Sequence, residues 1–244
     1  MRPDGAARRR EASTAAVVTS VTVLTPRMVR VRLGGESLRD LRAFPGQTVQ
    51  LLMPGTGGPA RRDYTVRHVD PAAPAMDIDF ALHADGPATR WARQAEAGQA
   101  VEFVGPSGRH WPDPTAGWHL FAGDETALPA IAAMAESLPA DARACLYLEV
   151  ADAAEEQPVA GARVRWLHRG EAEPGGSTML EDALAGIALP PGRGRIWVAG
   201  HTPTVRRIRA GLLERRAVDR RDLYVRGFWD RTAGHPRRVV GSGR

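Results

Sequence analysis

Along this chain the spacing of apolar residues changes once, near residues 112–117, and that change limits the folds open to it. Upstream, apolar residues recur at every second position: Val17 to Val23, Val29 to Leu33, Val49 to Leu52, Met76 to Phe80 and Ala100 to Val104. A period of two marks half-buried strands. The turn pairs Gly34-Gly35, Pro45-Gly46, Pro54-Gly55 and Gly57-Gly58 separate them at the spacing of a small antiparallel barrel. One helix interrupts the series, opening at Pro87 and stopping before Ala97-Gly98. Downstream of Pro112-Asp113-Pro114-Thr115-Ala116-Gly117 strands alternate with helices. The strands are Trp118 to Ala122, Ala144 to Val150, Arg163 to Leu167, Arg195 to Ala199 and Leu223 to Arg226. The helices are an alanine-rich segment ending near Leu138, then Ser177 to Ala185 and Pro203 to Arg216. Such alternation predicts a parallel sheet flanked by helices. The expected architecture is a β plus α/β chain: a disordered tail over residues 1–13, an antiparallel Greek-key β-barrel over 14–113, and an α/β parallel-sheet domain over 117–244.

Charge is distributed unevenly between these parts. All 33 basic residues are arginine. Residues 201–244 hold twelve arginines against four acids, so the net charge of +5 comes from the C-terminal segment. A patch of that kind can meet nucleic acid, a membrane surface or a small anion. Much of it, however, lies on the helix containing Arg206, Arg207 and Arg209, where Val205, Ile208 and Leu212 interleave as on a solvated helix face. Nucleic acid is therefore not the expected partner. The single cysteine, Cys145, sits in an apolar run. An internal disulfide and a four-cysteine cluster are thereby excluded, and the histidines show no metalloprotease spacing, so no protein-held metal is expected. The run Ala15 to Val18 after Arg8-Arg9-Arg10 is broken by Thr19, Ser20 and Thr22 and stops at Pro26, unlike a secretion leader. With no stretch of roughly 18 apolar residues, the chain is expected to be a cytoplasmic monomer, away from the membrane.

Two segments carry the chemistry of the barrel half. In Arg61-Arg62-Asp63-Tyr64-Thr65-Val66-Arg67, an arginine suited to a phosphate fork is followed by an aromatic face and a hydroxyl. In His83-Ala84-Asp85-Gly86-Pro87-Ala88-Thr89-Arg90-Trp91, small residues open a helix whose N-terminal N–H groups favour an anion. One dinucleotide would satisfy both. In the second half, Gly123-Asp124-Glu125-Thr126 and Gly200-His201-Thr202-Pro203-Thr204 each follow a strand and precede a helix, which puts them at one crevice at the carboxyl edge of the sheet. No Gly-x-Gly-x-x-Gly is present.

Taken in order, Arg62-x-Tyr64-Thr65-x-Arg67, Asp79-Phe80-x-Leu82-His83-x-Asp85-Gly86-Pro87-Ala88, Gly105-Pro106-x-Gly108, Gly123 to Ile131 and Tyr224-x-Arg226-Gly227-Phe228-Trp229 resemble the siderophore-interacting protein family, flavin-dependent ferric-siderophore reductases related to the ferredoxin reductases. The resemblance implies that the barrel binds FAD and the second domain NAD(P)H. Hydride passes to the flavin, and electrons pass singly from it to the Fe(III) of a chelate, which then releases Fe(II). It implies no catalytic side chain, because the flavin performs the chemistry. Arg62 would hold a phosphate of FAD, Tyr64 would lie against the ring system, Thr65 would bond near its N5 edge and His83 would contact it. Gly86, Pro87, Ala88 and Thr89 would take the diphosphate. Gly123, Asp124, Glu125 and Thr126, with Gly200 opposite, would form the nicotinamide crevice. Phe228 or Trp229 would cover the flavin or shape the substrate mouth, and Arg67, Arg226 and Arg231 would attract an anionic ferric siderophore. Ferredoxin as donor, a non-siderophore acceptor, and a non-catalytic siderophore- or nucleic-acid-binding protein are the alternatives. Two positions depart from the family pattern: Asp63, where proline is common, and His201, where an acid is frequent.

Overall fold

A computed structural model describes residues 13–53, 60–70, 72–83, 85–108, 112–215 and 218–231. Residues 1–12 of the expected N-terminal tail, the turns at 54–58 and the last stretch of the basic segment lie outside these residues. The first half forms a seven-stranded antiparallel sheet in the order β4-β3-β7-β1-β2-β6-β5. Its strands are β1 (Thr14–Thr25), β2 (Met28–Gly34), β3 (Thr48–Met53), β4 (Ala60–Thr65), β5 (His68–Asp70), β6 (Ala75–Ala81) and β7 (Ala100–Ser107). β4 and β5 occupy opposite edges of that order, yet only Val66 and Arg67 separate them in the chain. The sheet must therefore roll until its edges meet. Val66 N–H donates to Gln47 O and Arg67 N–H to Asp77 O, both at 2.9 Å, which closes the barrel at the point where the arginine-tyrosine motif ends.

The barrel core follows from the alternation that predicted it: Val29, Val31 and Leu33 on β2, Val49 and Leu51 on β3, and Ile78 and Phe80 on β6 are buried in one cluster. Helix α1 (Pro87–Arg93) is shorter than the sequence suggests and seats Trp91 in the same cluster.

The second sheet is parallel, in the order β10-β9-β8-β11-β12. Its strands are β8 (Trp118–Asp124), β9 (Ala144–Val150), β10 (Arg163–His168), β11 (Gly194–His201) and β12 (Leu223–Trp229), and its helices are α2 (Leu128–Glu136), α3 (Met179–Ala185) and α4 (Thr202–Arg215). All seven residues of β8 are buried, as expected of a central strand covered on both faces. Phe121 and Trp197 point to the face covered by α2, whereas Leu120, Ala122, Ile196 and Val198 point to the face covered by α3 and α4. Successive strands run outward from β8 to β10 and then from β11 to β12, so the topology switches between β8 and β11, where open α/β sheets bind ligands.

The two sheets share a packed boundary. Met28 and Ala81 of the barrel join the α2 cluster, and Thr25 Oγ donates to the buried Glu155 carboxylate at 2.6 Å. Arg67 forms an ion pair with Glu136 of α2 at 2.7 Å. The link between the halves is itself anchored: Asp113 accepts from Thr115, Arg193 and Arg195, which hold its carboxyl down at about 2. Among the described residues no helix is long and apolar enough to cross a membrane, and no group of three or more His, Cys, Asp or Glu could hold a metal ion.

Candidate functional site

β4 presents its motif on two faces. Arg62 and Tyr64 stand opposite Leu51 and Val49, while Asp63 stands opposite Gln50. The Tyr64 ring rests 4.3 Å from Phe80, which in turn lies 5.5 Å from Trp91, so one aromatic chain positions β4, β6 and the start of α1 together. Burial pushes the Tyr64 phenol up to about 12, which keeps it neutral. Arg62 is half-buried, with one guanidinium nitrogen on the Arg61 carbonyl at 2.9 Å. Thr65 and Thr89 are both buried.

At α1, Gly86 is the N-cap in extended conformation, Pro87 follows, and no side chain caps the helix. A Cβ at Gly86 would meet no atom within 4 Å. The first-turn N–H groups of α1 are therefore left without a side-chain acceptor beside open space, an arrangement that fits a diphosphate. Together with Arg62 and the neutral Tyr64 ring, these residues fit FAD.

The crevice of the second sheet is organised around Asp124. Its Oδ1 accepts from Thr126 N–H at 3.0 Å and from the Thr126 hydroxyl. Its Oδ2 accepts from His201 N–H at 2.7 Å and from Trp229 Nε1 at 2.9 Å. One carboxylate thus joins the ends of β8, β11 and β12. Gly200 permits the approach: its φ is +135°, and a Cβ there would lie 2.5 Å from Asp124 Oδ2. Gly123 plays a packing role, because its Cβ would collide with Ala127 Cβ at 2.5 Å and with the Ala199 carbonyl at 2.6 Å. Glu125 is held by Arg169 in a buried two-pronged pair of 2.8 and 2.7 Å. Burial pushes the Glu125 carboxyl up, and the Asp124 charge adds to the effect. Asp124 and Glu125 therefore serve the walls of the crevice; their carboxylates are already taken by protein donors.

Behind this wall a cavity of about 10 Å³, roughly the room one water needs, is bordered by Asp124, Glu149, Gly175, His201 and Thr204. Glu149 is buried, and burial followed by the charge of Asp124 drives its carboxyl upward. His201 Nδ1 meets Thr204 Oγ at 3.0 Å. Burial pushes the His201 imidazole down despite the Asp124 charge beside it, so the ring is neutral at physiological pH. An acid at position 201 would add a fourth carboxylate to Asp124, Glu125 and Glu149; histidine avoids that repulsion.

The two halves of the site meet at Trp229. Its ring lies 4.9 Å from His83 of the barrel and 4.6 Å from His201. His83 is oriented by a contact of 3.1 Å between Nδ1 and the Ala81 carbonyl. Phe228 instead packs inward, 6.1 Å from Trp197. Of the two aromatic residues expected at the flavin, Trp229 is thus the one at the junction.

The three arginines expected to attract an anionic chelate each face a carboxylate. Arg67 is held by Glu136 at 2.7 Å and lies 3.8 Å from Asp79. Arg226 lies 3.6 Å from Asp63, and Arg231 lies 3.8 Å from Glu173. Asp63 also accepts from Gln50 at 3.1 Å, so the residue that departs from the family pattern joins the barrel to β12. The basic helix α4 is likewise partly neutralised, since Arg207 is clamped by Glu181 at 2.8 and 2.6 Å. Sequence reading did not single out Arg169, Glu149, Glu136 or Glu155, because their roles depend on partners remote in the chain.

A closed antiparallel barrel followed by a parallel five-stranded sheet is the two-domain fold of the ferredoxin reductases. A ferredoxin NADP+ reductase from Neisseria gonorrhoeae shares the fold, with a TM-score of 0.68 at 16 % identity over 89 % of this chain and 99 % of that one. Residues 54–110 match the siderophore-interacting FAD-binding domain, and residues 116–232 match the siderophore-interacting protein family. The ferric vibriobactin reductase of Vibrio cholerae is 30 % identical over 84 % of each chain, and an uncharacterized protein of Mycobacterium tuberculosis is 33 % identical over 88 % of this chain and 89 % of that one. A siderophore utilization protein from T. fusca superimposes with a TM-score of 0.84 at 38 % identity, covering 91 % of this chain and 94 % of that one. The chain belongs to the siderophore-interacting protein family and is an FAD-binding flavoprotein.

Proposed function

We propose that the protein is a ferric-siderophore reductase that takes electrons from a reduced nicotinamide dinucleotide and delivers them through FAD to chelated iron(III). The observation that carries this reading is the junction at Trp229, where one indole lies 4.9 Å from the barrel's His83 and 4.6 Å from the crevice residue His201. A cofactor held by the barrel would there lie next to the sheet's switch point. When bound, FAD supplies the exchange between a two-electron donor and a one-electron metal acceptor.

In this reading residues 14–113 form the FAD unit and residues 117–244 the nicotinamide unit. Arg62 and the first turn of α1, at Gly86, Pro87, Ala88 and Thr89, hold the phosphates; Tyr64, Thr65 and His83 orient the ring system. Gly123, Asp124, Glu125, Thr126 and Gly200 shape the nicotinamide crevice, Asp124 and Glu125 by fixing its walls. Trp229 excludes water from the junction, and Arg226 and Arg231 stand at the mouth. No side chain is assigned as acid or base. The names of relatives that reduce ferric siderophores support the reading. Its test is anaerobic titration of the FAD-loaded protein with NADH and with NADPH. Loss of flavin absorbance with either is expected. Failure to bind FAD overturns the reading, and bleaching only by a reduced ferredoxin assigns that protein as donor instead.

A further inference from the structure

The rim between β4 and β12 carries an unexpected carboxylate. Asp63 and Arg61 project from the same face of β4, and Gln50 bridges them, accepting from Arg61 at 3.1 Å and donating to Asp63 at 3.1 Å. Across the domain boundary Asp63 reaches Arg226, whose guanidinium also lies 5.6 Å from the Phe228 ring centre. Both partners are about two-fifths exposed, so their charges face solvent, beside the mouth that the ferric-siderophore reading assigns to Arg226. Arg231 faces Glu173 in the same way, whereas Arg67 is less exposed and is held by Glu136 of α2. Among the described residues, Arg226 and Arg231, the arginines assigned to the mouth, thus each oppose a carboxylate.

The charge of a ferric chelate follows from its donor groups. Three dianionic catecholates around iron(III) leave a trianion, whereas three monoanionic hydroxamates leave a neutral complex. A concentrated positive mouth would select the trianion; a mouth whose arginines are opposed by carboxylates gains little from it and repels part of it. We propose that Asp63, by opposing Arg226, is a specificity-determining residue that tunes the mouth to ferric chelates of zero or low net charge, of the tris-hydroxamate kind, over trianionic tris-catecholates. The inference rests on the ferric-siderophore reading of this site and adds to it the class of substrate. Specificity here is a difference between two affinities, and Asp63 contributes by disfavouring the wrong partner.

The test is equilibrium binding to the FAD-loaded protein, read by quenching of tryptophan fluorescence. The probes are an uncharged hexadentate ferric tris-hydroxamate and a trianionic hexadentate ferric tris-catecholate, each at low and at physiological salt. Wild type should bind the hydroxamate more tightly, with an affinity insensitive to salt. Asp63→Asn should raise catecholate affinity by about threefold at physiological salt and more at low salt, where screening is weaker, and should leave hydroxamate affinity unchanged. Asp63→Glu should retain the wild-type preference. The catecholate gain should vanish when Arg226→Gln is combined with Asp63→Asn. A wild type that prefers the trianion with steep salt dependence overturns the inference and leaves the reductase reading standing. Equal gains for both chelates in Asp63→Asn also overturn it, because a structural role would act on both alike. If neither chelate binds, the inference and the ferric-siderophore reading fall together.

Discussion

Replacing Asp124 with asparagine isolates the contact that holds the crevice together. The change keeps the volume and removes the charge and one acceptor oxygen. Four donors converge on the carboxylate: the Thr126 N–H and hydroxyl, the His201 N–H and Trp229 Nε1. An amide can serve one pair only, and its NH2 group then faces the other pair's donors. Hydrogen bonds to a charged group are worth about 1.5–3 kcal/mol each, so losing two costs roughly 3–6 kcal/mol. Relief of repulsion opposes that loss, because the Asp124 charge bears on both Glu125 and Glu149; at an effective dielectric near 20 it returns about 1–2 kcal/mol. The expected net loss is about 2–4 kcal/mol. Urea unfolding followed by tryptophan fluorescence at pH 7 measures it, and the native emission should shift to the red as the Trp229 anchor is lost. A loss below about 1 kcal/mol with unchanged emission would refute the claim that this carboxylate joins the ends of β8, β11 and β12.

Arg62→Ala should weaken FAD binding by about tenfold to a hundredfold, the worth of one charge-assisted phosphate contact, with little change in the urea midpoint of the FAD-free protein; quenching of flavin fluorescence reads the affinity, and an unchanged value removes Arg62 from the phosphate grip. Gly200→Ala should cost about 3 kcal/mol, since it combines a left-handed φ with a Cβ 2.5 Å from Asp124 Oδ2; a midpoint within error of wild type would contradict the close approach. Glu149→Gln should stabilise the protein by about 1 kcal/mol at pH 8 and by less at pH 5. Because burial raises the folded carboxyl above its unfolded value, near 4.3, its contribution is fully present below that value and is lost as pH rises through the folded one. The Ser177 hydroxyl hydrogen-bonds the Glu149 carboxylate and opposes the upward shift; equal losses at both pH values would show that this bond outweighs the buried charge.

The barrel and the sheet were legible where local pattern decides structure. The alternation in Val29 to Leu33 and Met76 to Phe80 gave β2 and β6, and the apolar run Ala144 to Val150 gave β9 with its observed ends. β5, only three residues long, carries no periodic signal, and its existence depends on pairing with β6. The ends of β8 and β11 were also unreadable locally. β8 runs through Gly123 to Asp124 and β11 through Gly200 to His201, because Asp124 ties those glycine-containing ends together.

For the site, residue types were informative and their commitments were not. Arg67, Arg226 and Arg231 read as available cations because their opponents, Glu136, Asp63 and Glu173, are brought to them only by the tertiary fold. Asp124 and Glu125 read as crevice residues; only the structure shows that Thr126, His201, Trp229 and Arg169 already occupy their oxygens. Asp63 departs from the family pattern next to the phosphate-gripping Arg62, and the register of β4 turns it away from Arg62 and toward the neighbouring domain.

The reductase account rests on electrons reaching iron from a nicotinamide through the bound flavin. The most direct measurement is anaerobic turnover of the FAD-loaded protein with NADH or NADPH and a ferric hydroxamate chelate, with a coloured ferrous ligand trapping the product. The account predicts coloured ferrous complex accumulating in proportion to the nicotinamide oxidised, and none when FAD is omitted. Oxidation of the nicotinamide with no ferrous iron trapped from any ferric chelate would contradict it.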